Sequence, residues 1–298
     1  MNLFAGWRQV GKIGIVIDSA VSIPEGLIRE YGIEVASLVT VFGDKVYRDR
    51  IDLKTPAELF QLIEKADKFP TTSAPSPADY LGAYRRLSRK ADGIFCITMS
   101  SKMSMSFNAA TRAKETAKKE LPKVSIEVFD SMITVGAAGF IALAAARAAA
   151  SGKDLARLVK VAKEVRSRVN MIFIMDTLSY LAKSGRIGRA RALMGDMLSM
   201  KPIVEVSSST GLVEPVARVR TKSKAVNQLL EVVKQRVGTE NPLHVMVEHT
   251  VVPEEAERLK QMVSEQFNCA ELLACEFNPT AALVTGPRNL GLSFYSEI

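Results

Sequence analysis

Ile94-Phe95-Cys96-Ile97-Thr98 is a short run of apolar and β-branched residues and reads as a β-strand. Upstream of it, Ile13 to Ile17 and Glu34 to Phe42 read the same way, and downstream so does Ser125 to Phe129. Helical patterns separate these runs. Strands alternating with helices indicate βαβ units, so the first half is predicted to be α/β, with a doubly wound, mainly parallel sheet.

Two of the connecting helices announce their starts. Thr55-Pro56-Ala57-Glu58 and Ser76-Pro77-Ala78-Asp79 each place a hydroxyl at N-cap, proline at N1 and an acid at N3. An alanine-rich helix closes at Gly152, and Asp154 caps the next, Leu155 to Arg168, whose apolar positions follow helical spacing. The expected division is an N-terminal α/β domain over 12–166 and a C-terminal α+β domain over 167–298. In the second half Met171 to Met175 predicts a strand, and Leu178 to Lys183 and Ala190 to Met200 predict helical stretches. Pro202 to Val206 and Val213 to Val219 flank a Ser-Ser-Ser-Thr-Gly turn as a hairpin. Then follow helix Lys222 to Val237, strand Leu243 to Glu248, helix Pro253 to Phe267, and a closing pair of strands near Ala270 to Phe277 and Leu292 to Tyr295.

Composition excludes several classes. Cys96, Cys269 and Cys275 are too few and too far apart for a disulfide framework or a zinc site, which points to a reducing compartment and to three buried, inert thiols. Met1 to Lys12 lacks a continuous apolar core, so it does not read as a secretory signal, and a cytoplasmic protein is expected. Met132 to Ala150 owes its apolar content mostly to alanine and glycine and is interrupted by Arg147; a buried core helix is expected, with no stable membrane insertion. The net charge of +8 would attract polyanions, but the basic residues are dispersed and no RNA-binding signature accompanies them, so no nucleic-acid partner is expected.

Three hydroxyl-rich clusters stand where strands or loops meet turns: Thr71-Thr72-Ser73, Ser100-Ser101 and Thr285-Gly286-Pro287. In a doubly wound sheet such positions, outside the carboxyl ends of strands, collect ligands, and free N–H groups with neighbouring hydroxyls suit a carboxylate or phosphate. Taken singly, each also reads as an ordinary cap or turn. No P-loop, dinucleotide loop, nucleophile elbow or metal motif is present. His244 and His249 are the only histidines, so the one hydrolase arrangement open to this chain pairs Ser73 or Ser101 with His249.

Several ordered strings resemble one family. Ile17-Asp18-Ser19, Val41-Phe42-Gly43 with Tyr47-Arg48-Asp49, Thr71-Thr72-Ser73-Ala74-Pro75-Ser76-Pro77 and Ser100-Ser101-Lys102-Met103-Ser104 come first. Asp176-Thr177-Leu178, Gly185-Arg186-Ile187-Gly188, Lys201-Pro202-Ile203 and Arg218-Val219-Arg220-Thr221 follow in order. Together they are similar to the DegV family of lipid-binding proteins over Ile13 to Tyr295.

The resemblance implies a non-enzymatic carrier of one long-chain fatty acid such as palmitate, without cofactor or metal. The acyl chain would lie in an interdomain tunnel, and the carrier would serve a separate fatty acid kinase. By position, Thr72, Ser101 and Arg186 match the family's ligand-associated residues, with Thr71, Ser73, Ser100, Thr285 and Gly286 nearby. The family's C-terminal histidine is replaced by Val284, a glycine by Arg288, and the glutamine of the hydroxyl loop by Ala74. Those departures leave three alternatives open: Arg288 pairs with the carboxylate, a different lipid or acidic ligand binds, or presentation to a kinase is lost; a lipid-ester hydrolase with a serine nucleophile is a separate rival reading. For Arg186 a purely structural role, bonding carbonyls at a helix end, stands beside the ligand role.

Overall fold

The structure, a computed structural model, describes residues 12–194 and 200–297. The first sheet begins with β1 (Ile13–Asp18), followed by α1 (Glu25–Tyr31) and β2 (Glu34–Ala36). Next come β3 (Val39–Phe42), β4 (Lys45–Arg48), α2 (Pro56–Glu64), β5 (Thr71–Ser73) and α3 (Pro77–Ser88). The layer is completed by β6 (Gly93–Thr98), α4 (Ser106–Glu120), β7 (Ser125–Asp130), α5 (Val135–Ala150) and α6 (Leu155–Arg166). The second half contains β8 (Asn170–Ile174), α7 (Ser179–Lys183), a 3-10 turn (Gly188–Leu193), β9 (Lys201–Val206), β10 (Val213–Val219) and α8 (Lys222–Val237). It ends with β11 (Leu243–His249), α9 (Pro253–Gln266), β12 (Cys269–Glu276), α10 (Pro279–Thr285) and β13 (Leu290–Ser296).

β2, β1, β6 and β7 pair in parallel in that order. The chain runs outward from β1 to β2, then crosses to β6 on the other side, so the sheet is doubly wound with its switch point between β1 and β6. Alternate side chains face opposite ways along a strand. Val16, Ile94 and Cys96 therefore pack on α3 and α4, while Ile15, Ile17, Phe95 and Ile97 pack on the side of α5 and α6. Both expected capping boxes are formed: Thr55 Oγ1 accepts from Glu58 N and Ser76 Oγ from Asp79 N, at 3.3 and 3.2 Å.

The second half forms one mixed sheet in the order β10-β9-β8-β13-β11-β12. Ile172, Ile174, Val245 and Val247 face α8 and α9; Met171, Phe173, Val204 and Met246 face the first sheet. Between the two sheets runs α5, whose alanines and glycines permit close approach on all sides. An ideal Cβ on Gly139 would stand 2.1 Å from the carbonyl oxygen of Ser22. No helix among the described residues is long and apolar enough to cross a membrane.

Three readings are corrected. Glu34 to Phe42 is two strands in two different sheets, because the chain turns at Ala36 to Val39 and β3 joins β4 and β5 in a small antiparallel sheet. Thr71-Thr72-Ser73 is the third strand of that sheet rather than a loop. The two closing strands are present and flank β11, which is parallel to β12 and antiparallel to β13. Cys96 alone is fully buried; Cys269 and Cys275 are half-buried. Of the helical stretch expected over Ala190 to Met200, residues 188–193 form a 3-10 turn and 195–199 lie outside the described residues, as does the leader reading of Met1 to Gly11.

Candidate functional site

At the switch point the ends of β1 and β6 are tied by Asp18, whose carboxyl accepts from Ala20 N at 3.1 Å and Met99 N at 2.9 Å. Burial pushes this carboxyl up to about 7, and those two N–H groups pull in the opposite direction. Ala20 and Met99 thereby open a cavity of about 220 Å³ between the sheets. Its far wall is the inner face of the mixed sheet, through Met171, Phe173, Val204, Val206 and Val213. One end reaches the start of α5 at Thr134 and Val135. Val135 has φ +43°, a rare conformation for a β-branched residue, held by its N–H on Ala20 O at 3.0 Å. The mouth is formed by Thr72, Ser73 and Ala74 of the small sheet, Ser104 and Met105, Arg186, and Val284 and Thr285 of α10.

The lining is apolar with a few convergent polar groups, which is the character of a site for an amphipathic ligand. Five methionines line it, Met99, Met103, Met105, Met171 and Met175; unbranched thioethers let such a wall adapt to an irregular chain. Most of its hydroxyls are already engaged. Thr285 Oγ1 donates to Ala281 O at 2.8 Å, Ser73 Oγ to Ala74 O at 3.3 Å, and Thr280 Oγ1 to Asp49 at 2.7 Å, while Ser104 Oγ pairs with Ser106 at 3.1 Å. Among the described residues, Thr72 and Thr134 are the lining hydroxyls with no such partner.

Of the residues singled out in the sequence, Thr72, Ser73, Arg186 and Thr285 come together around the mouth. Arg186 also donates to Met103 O at 3.4 Å and to Ser184 O, the carbonyl just past α7, at 2.5 Å; the carbonyl-binding role is therefore present at a residue that lines the cavity. Thr71 is exposed on the edge strand. Gly286 packs against the Tyr180 ring, and Arg288 is exposed, with φ +62° and its carbonyl accepting from Lys222; neither lines the cavity. Ser101 is fastened through its N–H to Asp130 at 3.1 Å and is also outside the lining.

Ser100 is fully buried and joins the two halves, donating to Gly211 O in the β9–β10 turn at 2.8 Å. Ser100→Ala removes this donor and leaves a buried carbonyl, so a loss of about 1 kcal/mol is expected in urea unfolding. An unchanged midpoint would mean that the turn is held without it. No hydrogen bond links His249 to Ser73 or Ser101; its nearest charged neighbour is Glu276 at 3.9 Å, and burial lowers its pKa. Among the described residues no cluster has the make-up of a metal site.

Two features had no local signal. Asp49, Thr280 and Ser19 form a buried polar junction at the cavity wall, which the half-buried Asn278 joins through Ser19 O, and Asp49 and Thr280 are 231 residues apart. Glu248 on β11 caps α5 by accepting from Gly136 N at 2.8 Å.

Comparison with known proteins covers nearly the whole chain. A family model described as "Uncharacterised protein, DegV family" matches residues 12–297. A DegV domain-containing protein of Streptomyces coelicolor is 33% identical over 282 residues, 94% of this chain and 97% of its own. A structure from Thermus thermophilus, described as fatty acid binding of a DegV family protein, is 28% identical with a TM-score of 0.87, covering 96% of this chain and 100% of its own. DegV from Bacillus subtilis, described as a fatty acid binding protein, is 26% identical with a TM-score of 0.85 over 96% and 100% of the two chains.

Proposed function

Because this chain belongs to the DegV family, we propose that it binds one long-chain fatty acid in the cavity between its two sheets and acts as a cytoplasmic carrier rather than an enzyme. The observation that carries this reading is the cavity itself: an adaptable apolar wall with a polar mouth, at the switch point of a doubly wound sheet. The unpartnered Thr72 hydroxyl and the half-exposed Arg186 guanidinium stand at that mouth, where a carboxylate would remain close to water. A charge-assisted hydrogen bond contributes about 1.5–3 kcal/mol. Burial of roughly fifteen methylenes has an upper limit near 12 kcal/mol before ordering costs, so the tail would supply most of the affinity.

Val284 leaves the head group without the family's imidazole, and Arg288 is exposed and does not line the cavity. Thr72 and Arg186 are therefore assigned the carboxylate, with Ser73 and Thr285 beside it. Ser100, Ser101, Thr71 and Gly286 are assigned to holding the surrounding loops. Residues 12–166 and 167–298 serve as the two units, since each sheet is drawn from one of them. Delivery to a separate fatty acid kinase is the use that the family resemblance implies.

Native mass spectrometry of the purified protein, with identification of any released molecule, tests the reading. One fatty acid per chain is expected, and Thr72→Ala should weaken palmitate binding about tenfold without unfolding the protein. An empty protein that ignores added palmitate overturns it.

A further inference from the structure

Beside the apolar cavity lies a second cleft of about 330 Å³, and its character is different. Glu25, Arg50, Lys54 and Glu276 line it beside apolar residues such as Val21 and Ile23, so it is mixed in polarity where the first cavity is mainly apolar, and Arg50 is ion-paired with Glu25. The linings of the two spaces have one residue in common, Phe277. Its side chain is 2% exposed and packs against Phe173 with ring centroids 5.2 Å apart and planes inclined at 46°.

The backbone around it is pinned on both sides. Phe277 N donates to His249 O at 2.9 Å. The next residue, Asn278, caps α10 by accepting from Ala281 N at 2.9 Å and donates its amide to Ser19 O. With the main chain held in this way, side-chain size at position 277 decides whether the two spaces communicate.

We propose that Phe277 is the partition that sets the longest acyl chain this protein accepts. The inference rests on the fatty-acid reading and extends it to chain-length selectivity. Each methylene that finds apolar wall is about fourfold in affinity, so affinity rises with length until the chain meets the ring. Beyond it a chain must displace Phe277 from Phe173 and enter a cleft that carries Glu25, Arg50, Lys54 and Glu276, where a methylene gains less than on the apolar wall. Removing the ring joins the spaces, and a terminal hydroxyl on the acyl chain would then meet polar groups.

The test is competition for the protein, read by native mass spectrometry, among laurate, myristate, palmitate, stearate, arachidate, behenate and ω-hydroxypalmitate. Wild type is expected to show a sharp upper limit and to discriminate against ω-hydroxypalmitate at least tenfold relative to palmitate. Phe277→Ala should move the limit to longer acids and erase that discrimination, while Phe277→Trp should move it to shorter ones. Circular dichroism identifies folded variants, and Phe277→Leu replaces the alanine variant if that one does not fold. The same limit in wild type and all folded variants overturns the partition while leaving the fatty-acid reading intact. A wild type that binds none of these acids overturns both.

Discussion

Asp49→Ala is expected to lower stability by about 3 kcal/mol in urea unfolding and to weaken fatty-acid binding at the same time. Asp49 is completely buried, between β4 and α2, and accepts from Ser19 Oγ at 2.9 Å, Thr280 N at 3.0 Å and Thr280 Oγ1 at 2.7 Å. The two hydroxyls can turn towards other acceptors, but the Thr280 amide is fixed by α10 and would be left buried without a partner. Binding should suffer because α10 carries Ala281, Val284 and Thr285 into the cavity wall. Asparagine keeps the oxygen that serves Thr280, so Asp49→Asn should lose only about 1 kcal/mol. An alanine variant as stable as wild type would show that α10 is positioned by apolar packing alone.

Glu248→Gln is expected to make the protein more stable than wild type at pH 8.5, by on the order of 2 kcal/mol, and to flatten the fall of stability with rising pH. Glu248 is fully buried and accepts from Gly136 N at 2.8 Å and Ser293 Oγ at 2.6 Å; burial pushes its carboxyl from an ordinary 4.5 up to about 8. The folded protein thus keeps a proton that the unfolded chain releases above its lower pKa. Stability from this group is complete below about 4.5 and is lost as pH rises through 8. Glutamine is neutral throughout and can accept from Gly136 while donating to the Ser293 oxygen. Asp18 and Asp49, pushed up to about 7 and about 6 by burial, act with the same sign, so a smaller slope should persist in the variant. Denaturant midpoints for the two proteins between pH 5 and pH 8.5 decide the matter, and parallel curves would mean that Glu248 is ionised in the fold.

The legible parts of the fold have local causes. The run Ile94 to Thr98 forms a strand because its apolar side chains are buried on both faces, and that continuous pattern is visible in the chain itself. Thr55 and Ser76 start helices through bonds that span only three residues. The doubly wound sheet, the β9–β10 hairpin and the mouth residues Thr72, Ser73, Arg186 and Thr285 could all be placed from local pattern or from ordered motifs. Strand β5 escaped notice because three hydroxyl residues carry no alternation, and helix α10 because seven residues after a capping asparagine resemble a turn.

By itself, the sequence determined most of the strands and helices, where the strongest caps lie, and which family the chain joins, because those properties are written in neighbouring residues and in the order of short motifs. Only the tertiary structure decided that Ser100 bonds across to Gly211 rather than facing the cavity, that Asp49 meets Thr280, that Glu248 caps α5, and that Phe277 lines both the apolar cavity and the more polar cleft beside it. Each of those depends on the approach of side chains separated by more than a hundred residues or on the walls of two separate spaces. Periodicity reports which face of an element is buried, but not which other face it will meet.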